Sequence, residues 1–274
     1  MSTAPGITVT ARPGVGFEEH HVDVDGFRVR YLTAGTGEAL VMLHVGGGIE
    51  FNPGHDLLAE TFAVTAIEMP GFGAQENVRT NTMTELADLI AKITSAIGLD
   101  TFRLLGTSFG GSTALWFAIR HPDRLTHLVL EVPASFRTGS PRPDTLTPQQ
   151  FTAAFHAHPQ RKPWLTPPDP TRLAKNMAFI GRVFGPEHDP ELETLLPAVF
   201  TPTLVLLGTR DGLFGTRPGK HYARLLPQVS VQHVYDAAHD LSGDRPEAFA
   251  DIVTDFLNRG MAFRITHRPT VLNP

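Results

Sequence analysis

Three features of the sequence predict an α/β fold built on a mostly parallel sheet. Short apolar runs, among them residues 39–44 (ALVMLH) and 62–69 (FAVTAIEM), alternate with amphipathic stretches along most of the 274 residues. Such near-continuous runs suit strands buried on both faces. The opening segment, 20–35, instead alternates apolar with polar. It does so around Asp25-Gly26, a dipeptide that favours a tight hairpin turn, so an antiparallel pair precedes the parallel part.

Each later element has its own signal. Over 82–98 the residues Leu86, Leu89, Ile90, Ile93 and Ile97 recur at helical spacing, and Thr82 with Glu85 forms a capping box at the start. A strand at 102–106, a helix from about Phe109 to His121 stopped by Pro122, and a strand at 125–132 follow. From about Pro133 to Val199 the alternation breaks: proline recurs, and apolar residues come in short helical pieces at 151–158 and 173–184. This predicts a helical cap at 135–198, inserted into a core made of 1–134 and 199–274. The core pattern resumes with 201–211, a helix near 221–226, a strand at 229–236 and a closing helix from about Asp244, with Pro246 in its first turn. The tail alternates Met261, Phe263 and Ile265; packing on its own core is expected, with a neighbouring subunit as the alternative, and both monomer and homodimer stay open.

Composition narrows the partners. A net charge of -5, with no basic block, argues against nucleic acid. The absence of cysteine excludes disulfides, thiolate metal sites and a cysteine nucleophile. Residues 1–19 lack a basic start followed by an apolar stretch, and no segment approaches the roughly 18–20 apolar residues of a membrane span, so a cytoplasmic protein without membrane association is expected. His156 and His158, two apart on an expected helix, would point to different faces, and His20 and His21 to opposite sides of a strand, so no metal is expected. No cofactor is expected either.

The chemistry centres on Gly106-Thr107-Ser108-Phe109-Gly110. It fits G-x-S-x-G where a buried strand hands over to a helix, the context that gives the pattern meaning. A serine on so sharp a turn needs small residues two before and two after it, which Gly106 and Gly110 supply. The Phe109 N–H, at the helix start, is a first oxyanion donor. A nucleotide-binding reading fails, because the turn after 39–44 lacks G-x-G-x-x-G and GTSFGGS lacks a P-loop lysine.

With these residues the chain resembles the α/β-hydrolase superfamily from His20 to Leu257. The resemblance implies an eight-stranded, mostly parallel sheet flanked by helices. It also implies a second oxyanion donor in His44-Val45-Gly46-Gly47-Gly48: Val45 N–H, with Gly46 N–H as competitor, valine standing where the family has glycine. The family's D-x-P-G-x-G turn is matched by Glu68-Met69-Pro70-Gly71-Phe72-Gly73, with the acid changed.

A serine hydroxyl needs an imidazole to accept its proton. Of thirteen histidines, His239 lies in the loop between the last predicted strand and the closing helix, where the superfamily keeps its base. Asp211, at a strand's C-terminal edge, is the expected acid that holds the imidazole in the right tautomer. Glu131, ending the preceding strand, is the rival, since some relatives carry the acid there; Asp236 is too near the base in sequence. Asp240 reads as part of a solvated loop.

The cap carries Phe136, Phe151, Phe155, Trp164, Met177, Phe179 and Phe184, with Arg172, Lys175 and Arg182; most should pack the cap on the core. Their composition suits a medium-sized, partly apolar small molecule. Three activities stay open. The first is ester or lactone hydrolysis through an acyl-enzyme. The second is carbon–carbon hydrolysis, because GTSFGGSTALWFAIRHPDRL and the glycine run after His44 resemble meta-cleavage-product hydrolases, although Thr107 replaces their asparagine and Asp240 their frequent tryptophan. The third is a non-hydrolytic binding or receptor protein on the same scaffold.

Overall fold

The computed structural model describes residues 12–137, 139–140, 145–166, 169–185 and 189–264. Its first strands, β1 (Glu18–Val24) and β2 (Phe27–Ala34), form the expected hairpin. Asp25 and Gly26 both take positive φ, 49° and 76°, the pair of values that a twisted two-residue turn demands. The parallel part comprises β3 (Ala39–Leu43), β4 (Ala63–Ile67), β5 (Phe102–Thr107), β6 (Leu125–Glu131), β7 (Thr203–Gly208) and β8 (Val229–Val234). The eight strands run in the order β1-β2-β4-β3-β5-β6-β7-β8, with β2 antiparallel to β4 and every later pairing parallel.

Alternate residues of each central strand feed two separate cores. Val41 and Leu43 join a layer with α2 (Met83–Ala96), α3 (Phe109–Arg120) and α7 (Gly219–Leu225). Leu40 and Met42 join the opposite layer, with α1 (Pro53–Ala59) and α9 (Pro246–Arg259). Both faces of the sheet are thus covered, which explains the lack of polar alternation in these runs. Because parallel strands share one direction, their C-terminal ends gather at one edge, and the loops carrying Val45, Ser108, Asp211 and His239 all emerge there.

Local differences from the sequence reading have local causes. At α2, the Thr82 hydroxyl accepts Glu85 N–H at 3.1 Å, but the Glu85 carboxylate turns back to Asn81 N–H at 2.6 Å instead of to Thr82. The helix α1 was not anticipated; seven residues are too few to display a periodic apolar stripe. Between β6 and β7 lie α4 (Pro148–Phe155), α5 (Pro170–Val183) and α6 (Pro190–Leu195). The helix expected to hold His156 and His158 ends at Phe155, and His156 is extended, so helical spacing does not set the direction of either ring. In the tail, Phe263 is buried against Phe256 at 5.4 Å, packing on its own chain, while Ile265 lies outside the described residues.

Candidate active site

Ser108 occupies the turn between β5 and α3 at φ 54° and ψ -111°, a conformation that costs a non-glycine residue energy. The surroundings hold it there. Its N–H donates to Glu131 O at 2.9 Å, and its carbonyl accepts from Ser112 N–H and Ala134 N–H. A Cβ on Gly106 would stand 2.4 Å from the Gly110 carbonyl oxygen, and one on Gly110 would stand 2.2 Å from that of Leu43, so both flanking positions admit only glycine. Phe109 is the first residue of α3, and helical geometry leaves its N–H without an intrahelical acceptor.

The neighbouring loop is oriented by a histidine whose role the sequence did not disclose. His44 Nδ1–H donates to Val45 O at 2.7 Å, while Nε2 accepts Met69 N–H at 3.0 Å. Burial pushes this imidazole down to about 4, so it stays neutral and keeps one donor and one acceptor. The His44 carbonyl accepts Gly110 N–H at 3.1 Å, and the Val45 carbonyl also accepts Gly48 N–H at 3.1 Å. Since a trans peptide sends its N–H opposite its carbonyl, these bonds set the directions of Val45 N–H and Gly46 N–H.

His239 lies between β8 and α8 (Leu241–Asp244), almost fully buried. Its Nδ1 stands 2.9 Å from Asp211 Oδ2. The other oxygen of Asp211 accepts Leu213 N–H at 2.7 Å and Phe214 N–H at 3.1 Å, which clamps the carboxylate. Burial alone would raise Asp211, but the imidazole beside it and these backbone donors outweigh burial and hold it below the usual carboxylate range. A carboxylate at Nδ1 puts the ring proton there and leaves Nε2 bare. Among the described residues Nε2 has no partner, so its hydrogen bond to the Ser108 hydroxyl is not made in this geometry. The rings of Phe155 and Phe214 flank the imidazole at 5.0 and 4.9 Å.

The rival acid is placed otherwise. Glu131 is fully buried, and its oxygens accept the Thr107 hydroxyl at 2.7 Å and Ser242 N–H at 2.9 Å. Burial pushes it up to about 7 despite these donors. Asp236 pairs with Arg210 and His158, each at 2.8 Å.

The family model described as the alpha/beta hydrolase fold matches residues 38–163. The chain has the alpha/beta hydrolase fold. Over nearly its full length it is similar to the putative carbamate hydrolase RutD of Caulobacter vibrioides, 24% identical across 92% of this chain and 98% of that protein. Several relatives that are 30% to 35% identical match only locally, over 32% to 45% of their own length. One of these is 2-hydroxy-6-oxo-6-phenylhexa-2,4-dienoate hydrolase of Comamonas testosteroni, 34% identical over 40% of this chain and 42% of that enzyme. Among solved structures, a bacterial membrane phospholipase A superposes with a TM-score of 0.69 at 25% identity, covering 92% of this chain and 88% of that one.

In this fold the segment between β6 and β7 is fastened to the loops on both sides of the site. On one side Lys162, with its side chain 1% exposed, binds Asp240 Oδ2 and reaches Asp244 Oδ1 at 2.7 Å. His156 Nδ1 is 3.0 Å from the same Asp240 oxygen, and Asn52 donates to the other at 2.6 Å. Asp240 is therefore a buried, paired carboxylate, not part of a solvated loop; burial would raise it, but His156 and Lys162 hold it at about 2. Local sequence could not show this, because its partners lie 78 and 84 positions away. On the other side Phe179 packs on Phe72 and Phe184 on Phe109, while Lys175 and Arg182 donate to backbone carbonyls of the 72–80 stretch. Asn176 donates to Gly47 O at 3.1 Å, tying α5 to the loop of Val45.

Proposed function

We propose that this α/β hydrolase cleaves a carboxylic ester or lactone of a medium-sized, partly apolar small molecule through an acyl-enzyme on Ser108. The observation that carries the reading is the buried Asp211–His239 pair with its bare Nε2, emerging at the same sheet edge as a serine held in a left-handed turn. His239 Nε2 takes the Ser108 proton as Oγ attacks the carbonyl carbon. Phe109 N–H and Val45 N–H, with Gly46 N–H as the competing donor, stabilise the oxyanion. The proton then passes to the leaving alcohol, and water hydrolyses the acyl-serine. Asp211 holds the tautomer and stabilises the imidazolium. Substrate and transition state draw Ser108 and His239 into the hydrogen bond that the free site lacks, as is common for catalytic groups. The 135–198 segment acts as a cap over the site.

Labelling with a fluorophosphonate and peptide mapping tests this directly. An adduct on Ser108 is expected, with nitrophenyl ester turnover falling by about 10⁴-fold or more in Ser108→Ala. Label elsewhere, or activity kept in that variant, removes the assignment. A second reading, hydrolysis of a carbon–carbon bond, draws on the 34% match to the dienoate hydrolase; turnover of a dienol diketone far above that of esters would favour it. Silence on every substrate would favour a non-hydrolytic role.

A further inference from the structure

Two buried imidazoles line one cavity, and each leaves a ring nitrogen without a protein partner. His55 on α1 is 5% exposed, and its Nδ1 accepts Asn52 N–H at 3.0 Å, so its proton sits on Nε2. Burial pushes this ring down to about 4 and keeps it neutral. His239 shows the complementary state, with the proton on Nδ1 toward Asp211 and Nε2 bare. Neither Nε2 has a partner among the described residues. The cavity they share has a volume of about 40 Å³, and Val45 and Thr107 also line it. That space suits one or two water molecules. Among the buried side-chain atoms that line it, one lone donor and one lone acceptor match a molecule that both accepts and donates.

We propose that this cavity seats the water that hydrolyses the acyl-enzyme, with His55 as the residue that positions it. The inference rests on the acyl-enzyme reading above. His55 Nε2–H donates to the water oxygen, and one water hydrogen points to His239 Nε2. As the oxygen bonds to the acyl carbon, its proton passes to Nε2. Collapse of the tetrahedral intermediate breaks the carbon–Oγ bond, and Ser108 recovers that proton, releasing the carboxylic acid. The Nδ1 side of His55 serves α1 by accepting Asn52 N–H; only the Nε2 side serves the cavity.

Two substitutions separate these sides. His55→Asn keeps an acceptor near the Nδ1 position and loses the distal donor, whereas His55→Gln keeps a donor near Nε2. Acylation and deacylation are measured separately on the full chain, by the burst with a nitrophenyl ester and by the decay of acyl-Ser108 in intact-mass spectra. In His55→Asn, acylation should stay within about twofold while deacylation slows by about ten- to a hundredfold, the cost of a misplaced reactant. His55→Gln should restore most of the loss. Normal acylation with unchanged deacylation in His55→Asn overturns the inference and leaves the acyl-enzyme reading intact. Equal loss of both steps overturns it in favour of a substrate contact or a structural role. Failure of the wild-type chain to form acyl-Ser108 overturns both.

Discussion

The C-terminal ends of β6 and β7 each present a buried carboxylate, and the two differ in partner. Among the described residues the donors to Glu131 are neutral groups of Thr107 and Ser242, and burial, with the nearby Asp240 carboxylate adding to it, carries it up to about 7. Asp211 receives two amides and an imidazole, and stays below the ordinary range. The lesson is that burial sets a penalty on charge at both positions and the ionisable neighbour decides whether it is overcome. Position in the fold does not distinguish them, since both stand at strand ends where an acid could serve the proposed base, His239. Asp240 extends the series: with Lys162 and His156 against it, it is held at about 2 although it is equally enclosed.

The sharpest break of this comparison is to neutralise each acid in turn. Asp211→Asn should lower kcat by about 10⁴-fold, because an amide favours the wrong imidazole tautomer while leaving the geometry intact. Glu131→Gln should change kcat by less than about tenfold, since it does not touch His239. Steady-state kinetics on a nitrophenyl ester check both, and the opposite order would transfer the role of acid to Glu131. Next in size, Lys162→Met removes the cation from two enclosed carboxylates and should destabilise the fold by about 3–5 kcal/mol in urea unfolding. A loss under about 1 kcal/mol would mean that Asp240 and Asp244 find other partners.

The smallest effect concerns Glu131 alone and has a definite sign. Its folded value lies above its unfolded value near 4.5, so the folded state binds the extra proton between pH 4.5 and about 7. The contribution of Glu131 to wild-type stability should therefore fall as pH rises through that window and level off above it, while the buried His44 and His55, held low, act in the opposite sense in both proteins and cancel in the comparison. Glutamine can accept Ser242 N–H and donate to Thr107, so Glu131→Gln escapes the penalty. Its stability relative to wild type should grow by about 1–3 kcal/mol between pH 5 and pH 8. Denaturant unfolding of both proteins at the two pH values measures this; a constant difference would show that Glu131 is ionised throughout.

The sequence by itself determined the sheet, its antiparallel opening pair and the strand-to-helix turn of Ser108, because these depend on apolar runs, a two-residue turn and paired glycines close along the chain. It narrowed the candidate acid to two positions and the candidate base to one loop. Only the tertiary structure decided which acid meets the imidazole, because Asp211 and His239 are 28 positions apart and no local pattern encodes that distance. The same holds for Lys162 with Asp240, for the neutral tautomer of His44 and for the cavity face of His55, whose states depend on burial and on partners supplied by other elements. Chain-local preference writes the elements; packing assigns the protons.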